Sequence, residues 1–289
     1  MFTTTFTTMR TTLLTSVRRS PVCSAALSIA LVVPAATAAA QTRPAPATRP
    51  TASAPAPTRL TGALRWADTV RILIDRATVR GDTVQLNVAA ALTDRALQAF
   101  PNDGLLLHYR GYAAYRRAQL LMGVGAEDPA EQGYKAALDL LDRSAEALPL
   151  AETEALRAST MGQLMAISMI AGVRYGSASG DADEQAQRLA PSNPRMLMLQ
   201  AVSTFYKPSA FGGSESRART MIQKAITAFD TDAPRTGYPA WGKAEAWAWE
   251  GVMAQKAGNT AEARAAFERA LAIEPEYAWV RSVLLPGLR

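Results

Sequence analysis

The sequence predicts an all-α protein, in which about five antiparallel helix pairs form a right-handed array (a solenoid) that ends in a C-terminal capping helix. Three observations lead to this prediction. Apolar residues recur at helical spacing from about residue 61 to the end of the chain. No stretch shows the sustained period-two alternation of apolar and polar residues that marks a half-buried strand. A pattern of small residues recurs in one register, which is typical of repeat architectures.

Residues 1–40 are predicted to be a secretory signal peptide rather than part of the fold. Three arginines and no acidic residue give a positively charged start, an apolar stretch covers 25–33, and alanines 38–40 form a small-residue cleavage site. The apolar stretch is too short for a permanent membrane-spanning helix, and an uncleaved N-terminal anchor is the alternative. We therefore expect a mature chain that begins at Gln41 and is periplasmic or secreted.

Residues 41–60 are predicted to be a linker, which leaves 61–289 as the helical domain. The linker contains five prolines and no acidic residue, so it favours an extended, solvated chain. Cys23 is the only cysteine and would leave with the signal peptide, so the mature chain cannot form an internal disulfide. The formal net charge is +6, and three of the arginines belong to the signal peptide. A balance this mild gives no argument for nucleic-acid binding.

The clearest repeat unit lies near the C-terminus, between Trp241 and Pro275. It contains an aromatic residue, a glycine, an Ala-x3-Phe-x2-Ala run and a closing proline, namely Trp247, Gly251, Ala263, Phe267, Ala270 and Pro275. With a length of about 34 residues, this unit resembles the tetratricopeptide repeat (TPR) family. Glu250 and Ala254 depart from the Leu and Tyr that are usual at their positions. The resemblance implies that Gly251 lets the two helices approach closely and that Phe267 fills the groove between them.

Weaker copies of the second-helix pattern occur upstream in the same register. They are Ala89-x3-Thr93-x2-Ala96 with Pro101, Ala137-x3-Leu141-x2-Ser144 with Pro149, and Ala218-x3-Ile222-x2-Ala225. Four copies in one register extend the resemblance to the TPR family over most of residues 62–275.

Periodicity and capping residues predict eleven helices. They cover residues 62–79, 84–99, 104–121, 130–147, 152–172, 182–190, 194–206, 214–229, 242–257, 260–273 and 276–284. The last of them would cover the open apolar end of the array as its capping helix.

The residue types that most often catalyse reactions or bind metals are scarce in this sequence. His108 is the only histidine, and a lone His on a helix is far more often structural than catalytic. Without Cys or a second His, the usual parts of nucleophilic triads and zinc sites are missing. Met161, Met165 and Met169 form one helical stripe, which favours core packing over a thioether site for Cu(I). We therefore predict no catalysis, no metal and no cofactor.

The segment Lys207–Ser214 is the most unusual predicted loop. Gly212 and Gly213 precede a helix capped by Ser214, and their backbone N–H groups could face an anion. A tight turn between helices, with Phe211 inserted into the core, is the favoured interpretation because no phosphate-loop lysine follows Gly213.

The TPR resemblance implies a scaffold that binds a protein or peptide on the concave surface lined by the first helix of each pair. For an exported chain the partner would be another protein or peptide of the cell envelope. Trp249 is two positions from the repeat residue Trp247 and therefore points to another face. The predicted partner-binding residues on the last unit are Glu245, Ala248, Trp249, Val252, Gln255 and Lys256.

A small-molecule carrier is the alternative function. Exported proteins with degenerate TPR pairs also resemble the T component of TRAP transporters, where the helices surround an apolar cavity. The many Ala, Leu and Met residues would suit a small apolar or organic-acid ligand. In both cases we expect a protein that is not integral to the membrane.

Overall fold

The computed structural model describes residues 62–288, apart from the Met169 side chain, so the predicted signal peptide and linker lie outside the described residues. Ten α-helices form five consecutive pairs in this part of the chain, which contains no strand. The predicted all-α repeat architecture is therefore confirmed. None of these helices is long and apolar enough to span a bilayer. The helices are α1 (Gly62–Arg80), α2 (Thr83–Ala99), α3 (Gly104–Gly123), α4 (Glu127–Ala147), α5 (Ala151–Ile167), α6 (Met169–Leu189), α7 (Pro194–Tyr206), α8 (Glu215–Phe229), α9 (Lys243–Lys256) and α10 (Thr260–Ile273).

The recurring small-residue pattern lies in the core at every predicted copy. Its positions on α2, α4, α8 and α10 are all buried, at 1% exposure or less. Glycines on the first helices give the matching contact. A Cβ atom on Gly251 would lie 2.3 Å from Phe267 Cε1, and one on Gly111 would lie 2.8 Å from Leu141 Cγ. The predicted close approach of the paired helices is therefore present in the last unit and again between α3 and α4.

Two predicted helices have different bounds in the structure. The predicted helices 152–172 and 182–190 are in fact α5, which ends at Ile167, and α6, which begins at Met169. Only Ser168, in an extended conformation, separates them. Helical periodicity continues through this point without a glycine or proline, so the sequence offers no stop signal there. The predicted capping helix 276–284 contains instead a short π-helical turn, Val280–Leu284.

The loop after α7 also differs from its prediction. Phe211 is 77% exposed and does not enter the core. The two glycines are nevertheless required by the turn, since Gly212 has a φ of +87° and a Cβ atom on Gly213 would overlap the carbonyl oxygen of Lys207. Ser214 accepts a hydrogen bond from the backbone N–H of Arg217, as a helix N-cap does.

The C-terminal segment contacts the first helix of the array. Arg80 at the end of α1 forms an ion pair with Glu276, with 2.7 Å between Arg80 Nη2 and Glu276 Oε2. Gly81 lies close to Ala278, and Val79 packs against the core of the last pair. The end of the first helix therefore lies against the C-terminal segment that follows the last pair.

Candidate partner-binding surface

The six predicted partner-binding residues on α9 are distributed between the interior and the surface. Ala248 is fully buried, and Glu245 points inward to Arg116. Trp249 and Val252 are half-buried, whereas Gln255 and Lys256 are exposed. Gln255 Nε2 also donates to the carbonyl oxygen of Gly287, at 3.3 Å. Only the C-terminal half of the predicted face is accessible in this conformation.

A buried ion pair crosses the interior of the array between α3 and α9. Arg116 Nη1 lies 2.9 Å from Glu245 Oε1, and Arg116 Nη2 bonds the other carboxylate oxygen. The guanidinium carbon of Arg116 lies 5.0 Å from the ring centre of Tyr112 and 5.3 Å from that of Trp241. Bidentate hydrogen bonding and ring contacts both suit a guanidinium group, and the ammonium group of Lys would not make the same set of contacts.

The loop between α8 and α9 contacts two of the first helices, α1 and α3. We call residues 230–242 the connecting loop; it joins Phe229 to Lys243. Its Gly237 carbonyl accepts a hydrogen bond from Tyr109 Oη on α3, at 2.8 Å. The Gly237 N–H donates to Asp68 Oδ1 on α1, at 3.3 Å. Gly237 has a φ of +81°, and a Cβ atom there would lie 2.5 Å from a methyl group of Leu64.

Among the titratable groups with shifted pKa values, Asp75 and His108 are the two that bear on the pH dependence of stability. Burial raises the pKa of Asp75 on α1 to about 7, although Arg71 Nη1 lies 3.5 Å from its carboxylate and opposes the shift. Burial lowers the pKa of His108 to about 3, and its Nδ1 lies 2.9 Å from Thr153 Oγ1. His108 is therefore neutral at physiological pH and enclosed on all sides, which is the arrangement of a structural histidine.

An aromatic row lies on the accessible side of α9. We use this term for Tyr206, Trp249 and Trp279, which come from α7, α9 and the C-terminal segment. The ring centres of Tyr206 and Trp249 are 5.9 Å apart, and those of Trp249 and Trp279 are 5.1 Å apart. Tyr206 is 64% exposed, and the two tryptophans are half-buried. The row presents large apolar faces together with a phenol and two indoles at the surface.

The sequence analysis singled out Trp249 as a candidate but not the two aromatic residues that contact it. Tyr206 and Trp279 are 43 and 30 residues away from it, so no spacing rule connects them. Arg116 and Arg195 were missed for the same reason, because their carboxylate partners lie in distant helices or loops. The connecting loop could have been recognised in the sequence, because the gap between the predicted helices 214–229 and 242–257 is unusually long and ends in an aromatic residue.

Two depressions on the described part of the chain are open to solvent rather than enclosed. One depression of about 350 Å³ lies between the α6–α7 turn and the end of α8, and another of about 350 Å³ lies between α5 and α6. The second is lined largely by charged and polar side chains, namely Glu154, Arg157, Asp181, Gln185 and Arg188, together with Ala178 and Ala182. Both are shallow surface features.

Comparison with known proteins supports the fold and the repeat. Residues 244–277 match the family model of the tetratricopeptide repeat. The chain is similar in structure to the HusA haemophore from Porphyromonas gingivalis, at 20% sequence identity and a TM-score of 0.56, over 69% of this chain and 96% of that one. It also matches TTC0263, a thermophilic TPR protein of Thermus thermophilus, at 17% identity and a TM-score of 0.48, over 78% and 97% of the two chains. No curated protein matches this chain in sequence.

Proposed function

We propose that this tetratricopeptide-repeat protein is an exported, non-catalytic scaffold that binds an extended peptide segment of another cell-envelope protein along its aromatic row. The fold supports a role in protein interaction. We choose this surface because of one observation: the rings of Tyr206, Trp249 and Trp279 contact one another at an accessible face of the protein. Tyrosine and tryptophan are the residues that most often dominate binding energy at protein interfaces.

The chemistry of the aromatic row suits an extended apolar or proline-containing segment. Aromatic rings bury a large apolar area at little cost in conformational entropy, and their polar edges can bond the peptide backbone. Gln255 and Lys256 are exposed at the end of α9, where they would offer polar groups to a peptide that continues along this helix. The predicted partner face therefore keeps Trp249, Val252, Gln255 and Lys256, while Glu245 and Ala248 serve the interior.

The proposed cell-envelope location depends on the N-terminal 60 residues. A positively charged start, a short apolar stretch and an alanine cleavage site favour export. A proline-rich linker of 20 residues would then give the folded domain a reach of about 60 Å at ~3 Å per residue. N-terminal sequencing of the periplasmic or secreted protein tests the cleavage at Gln41.

The binding proposal is tested by site-specific photo-crosslinking and substitution. A photoreactive phenylalanine analogue at Tyr206 should crosslink a partner in the cell envelope, whereas the same analogue at Val173, 93% exposed on α6, should not. A peptide from the crosslinked partner should then bind the Tyr206→Ala and Trp249→Ala variants at least tenfold more weakly than the wild type. Val173→Ala is the matched control. Unchanged affinity in the folded aromatic variants would refute this surface.

A small-molecule carrier is the second candidate. The similar HusA structure is a haemophore, and the aromatic row offers flat apolar faces to a planar ligand. An iron atom would need a ligand other than His108, which is the only histidine and is fully buried. Mass spectrometry of small molecules that copurify with the protein, together with a haemin absorbance titration, distinguishes this candidate from the scaffold.

A further inference from the structure

The hairpin of α5 and α6 ends in an uncharged apolar tip. We use the term hairpin tip for residues 164–173, which comprise the last turn of α5, Ser168 and the start of α6. Residues 158–173 contain no charged side chain, and six of the ten residues of the tip are Leu, Met, Ile or Val. A helix surface that faces water usually carries charged and polar side chains, so this composition is unusual for an exposed helix end.

The apolar side chains at the start of α6 lie in solvent. Val173 is 93% exposed and Ile170 is 83% exposed, which are the highest values among the large apolar residues of the described part of the chain. They are three positions apart on one helix, so their side chains are neighbours. None of the residues 170–181 is buried, and a Cβ atom on Gly172 would meet no atom within 4 Å. The rest of the array therefore leaves this end of the hairpin uncovered.

The charges nearest to the hairpin tip in the sequence are positive. Residues 155–180 contain two arginines and no acidic side chain. Arg157 is paired with Glu154, with 2.6 Å between Nη1 and Oε2. Arg174 directly follows the tip and is exposed, and its guanidinium carbon lies 5.1 Å from the ring centre of Tyr175. Arginine and tyrosine beside an apolar segment are typical of the level of the lipid headgroups at a bilayer surface.

The backbone of the hairpin tip suits an apolar environment. A backbone N–H group that enters lipid needs a hydrogen-bond acceptor within the protein. The N–H of Ser168 donates to the carbonyl oxygen of Leu164, and the N–H of Ala171 donates to that of Ser168, each at 3.0 Å. The break between the two helices is thus closed by its own hydrogen bonds. The tip is also a convex end rather than a groove, and a lipid surface can close around such an end without a complementary shape.

The size of the hairpin tip fits shallow insertion. Residues 164–167 and 169–173 each form about one helical turn, which rises by ~6 Å. Apolar segments that lie in the bilayer interface enter it to a depth of about 5–10 Å. None of the described helices is long and apolar enough to span a bilayer. The contact that the tip can make is therefore with one surface of the membrane.

We propose that the hairpin tip is a membrane-contact site. Ile170 and Val173 enter the boundary between the headgroups and the acyl chains of a phospholipid bilayer. Arg174 lies at the level of the phosphates and favours anionic lipids. The contact holds the protein at the bilayer surface without a spanning helix. This site is separate from the aromatic row and does not depend on the function proposed for that surface.

Cosedimentation of the full-length protein with vesicles tests the apolar contact. The vesicles contain phosphatidylcholine alone, or phosphatidylcholine and phosphatidylglycerol in a two-to-one ratio. The double variant Ile170→Ser/Val173→Ser should partition about tenfold or more weakly than the wild type into both, because two apolar side chains no longer leave water. The matched control is Val84→Ser/Val124→Ser, at 66% and 79% exposure, which should bind like the wild type. Comparing variants of one chain cancels any contribution of residues 1–61.

Arg174→Gln separates the electrostatic contribution from the apolar one. It should weaken binding to the vesicles with phosphatidylglycerol about fivefold and leave binding to phosphatidylcholine vesicles unchanged. Equal effects on the two kinds of vesicle would contradict the position of Arg174 at the phosphates. Tyr206→Ala should leave vesicle binding unchanged, and a loss in that variant would assign the membrane contact to the aromatic row instead.

A label at one position tests insertion directly. Cys23 is the only cysteine, so a Cys23→Ser background allows a single nitrobenzoxadiazole label on Val173→Cys or on Val124→Cys. A spin label on the lipid acyl chains should quench the fluorophore at position 173 and leave the one at position 124 unquenched. This measurement covers the case in which the double variant does not fold.

Three outcomes would overturn the proposal. They are a wild-type protein that does not bind either kind of vesicle, unchanged binding by the folded Ile170→Ser/Val173→Ser variant, and a label at position 173 that lipid does not quench. Size-exclusion chromatography with light scattering tests a different occupant. A wild-type dimer that becomes a monomer in the double variant, without quenching by lipid, would assign the hairpin tip to a second copy of the chain.

Discussion

Arg116 on α3 and Glu245 on α9 form a buried two-point ion pair between residues 129 positions apart in the chain. The pair fixes the distance between the second and the fifth helix pairs. Removing one member would leave the other as an uncompensated buried charge. We expect Arg116→Ala to lower the free energy of unfolding by ~3–5 kcal/mol in urea denaturation.

The matched control is the exposed pair Arg80–Glu276, whose side chains are 54% and 61% exposed. Arg80→Ala should cost no more than ~1 kcal/mol, because water screens an exposed pair and replaces its interaction. Equal losses in the two variants would show that the interior pair contributes no more than a surface one.

Phe267 is the central side chain of the last repeat. It is fully buried, and its ring edge lies against Gly251. Phe267→Ala should lower the free energy of unfolding by ~3–5 kcal/mol, since it leaves a cavity. Hydrogen exchange should also increase around Trp279, because neighbouring units of an array stabilise each other. Phe211→Ala, at 77% exposure, is the control and should change stability by less than ~0.5 kcal/mol.

Gly251 and Gly162 allow the same substitution to be compared in two settings. A Cβ atom on Gly251 would overlap the Phe267 ring, whereas one on Gly162 of α5 would meet no atom within 4 Å. Gly251→Ala should therefore destabilise the last pair. Gly162→Ala should raise the free energy of unfolding by ~0.5–1 kcal/mol through helix propensity. Thermal denaturation of both variants measures the difference, and a stable Gly251→Ala protein would refute the close contact.

Asp75 should make stability fall as the pH rises. Its pKa is about 7 in the folded protein against an ordinary value of 3.8. The folded state therefore holds the proton more tightly, so this contribution is complete below about pH 4 and is lost as the pH rises to about 7. Asp75→Asn should raise the free energy of unfolding at pH 8 by ~1–3 kcal/mol, because the 23% of the side chain exposed to water relieves part of the penalty. Exposed Asp139→Asn is the control and should have little effect.

His108 should make the stability of the protein fall as the pH decreases. Its pKa is about 3 in the folded protein against an ordinary value of 6.5. Below about pH 6.5 the unfolded chain takes up a proton that the folded protein does not, so stability falls by ~2 kcal/mol between pH 7 and pH 5. His108→Gln should remove this dependence and leave partner binding intact, since Gln can still bond the Thr153 hydroxyl. Loss of binding in a folded His108→Gln protein would contradict the structural role.

Local sequence signals identified the repeating parts of this protein. The Ala-x3-Phe-x2-Ala run and its weaker copies located the buried positions of four of the five second helices, because small residues at that spacing must face a neighbouring helix. The same reasoning failed at Ser168. There the chain leaves the helix without glycine or proline, and packing of α6 on α5 decides where the turn lies.

The sequence by itself determined the architecture: helices paired in order, with Phe267 and Gly251 in contact. Only the tertiary structure decided which parts of the inner surface are open. Arg116 meets Glu245, and Gly237 enters between α1 and α3, because the array brings its first and last helices together. Such contacts depend on the total curvature of all five pairs. A local pattern of residues does not predict this total curvature. The accessible face of α9 was for this reason predictable only in part.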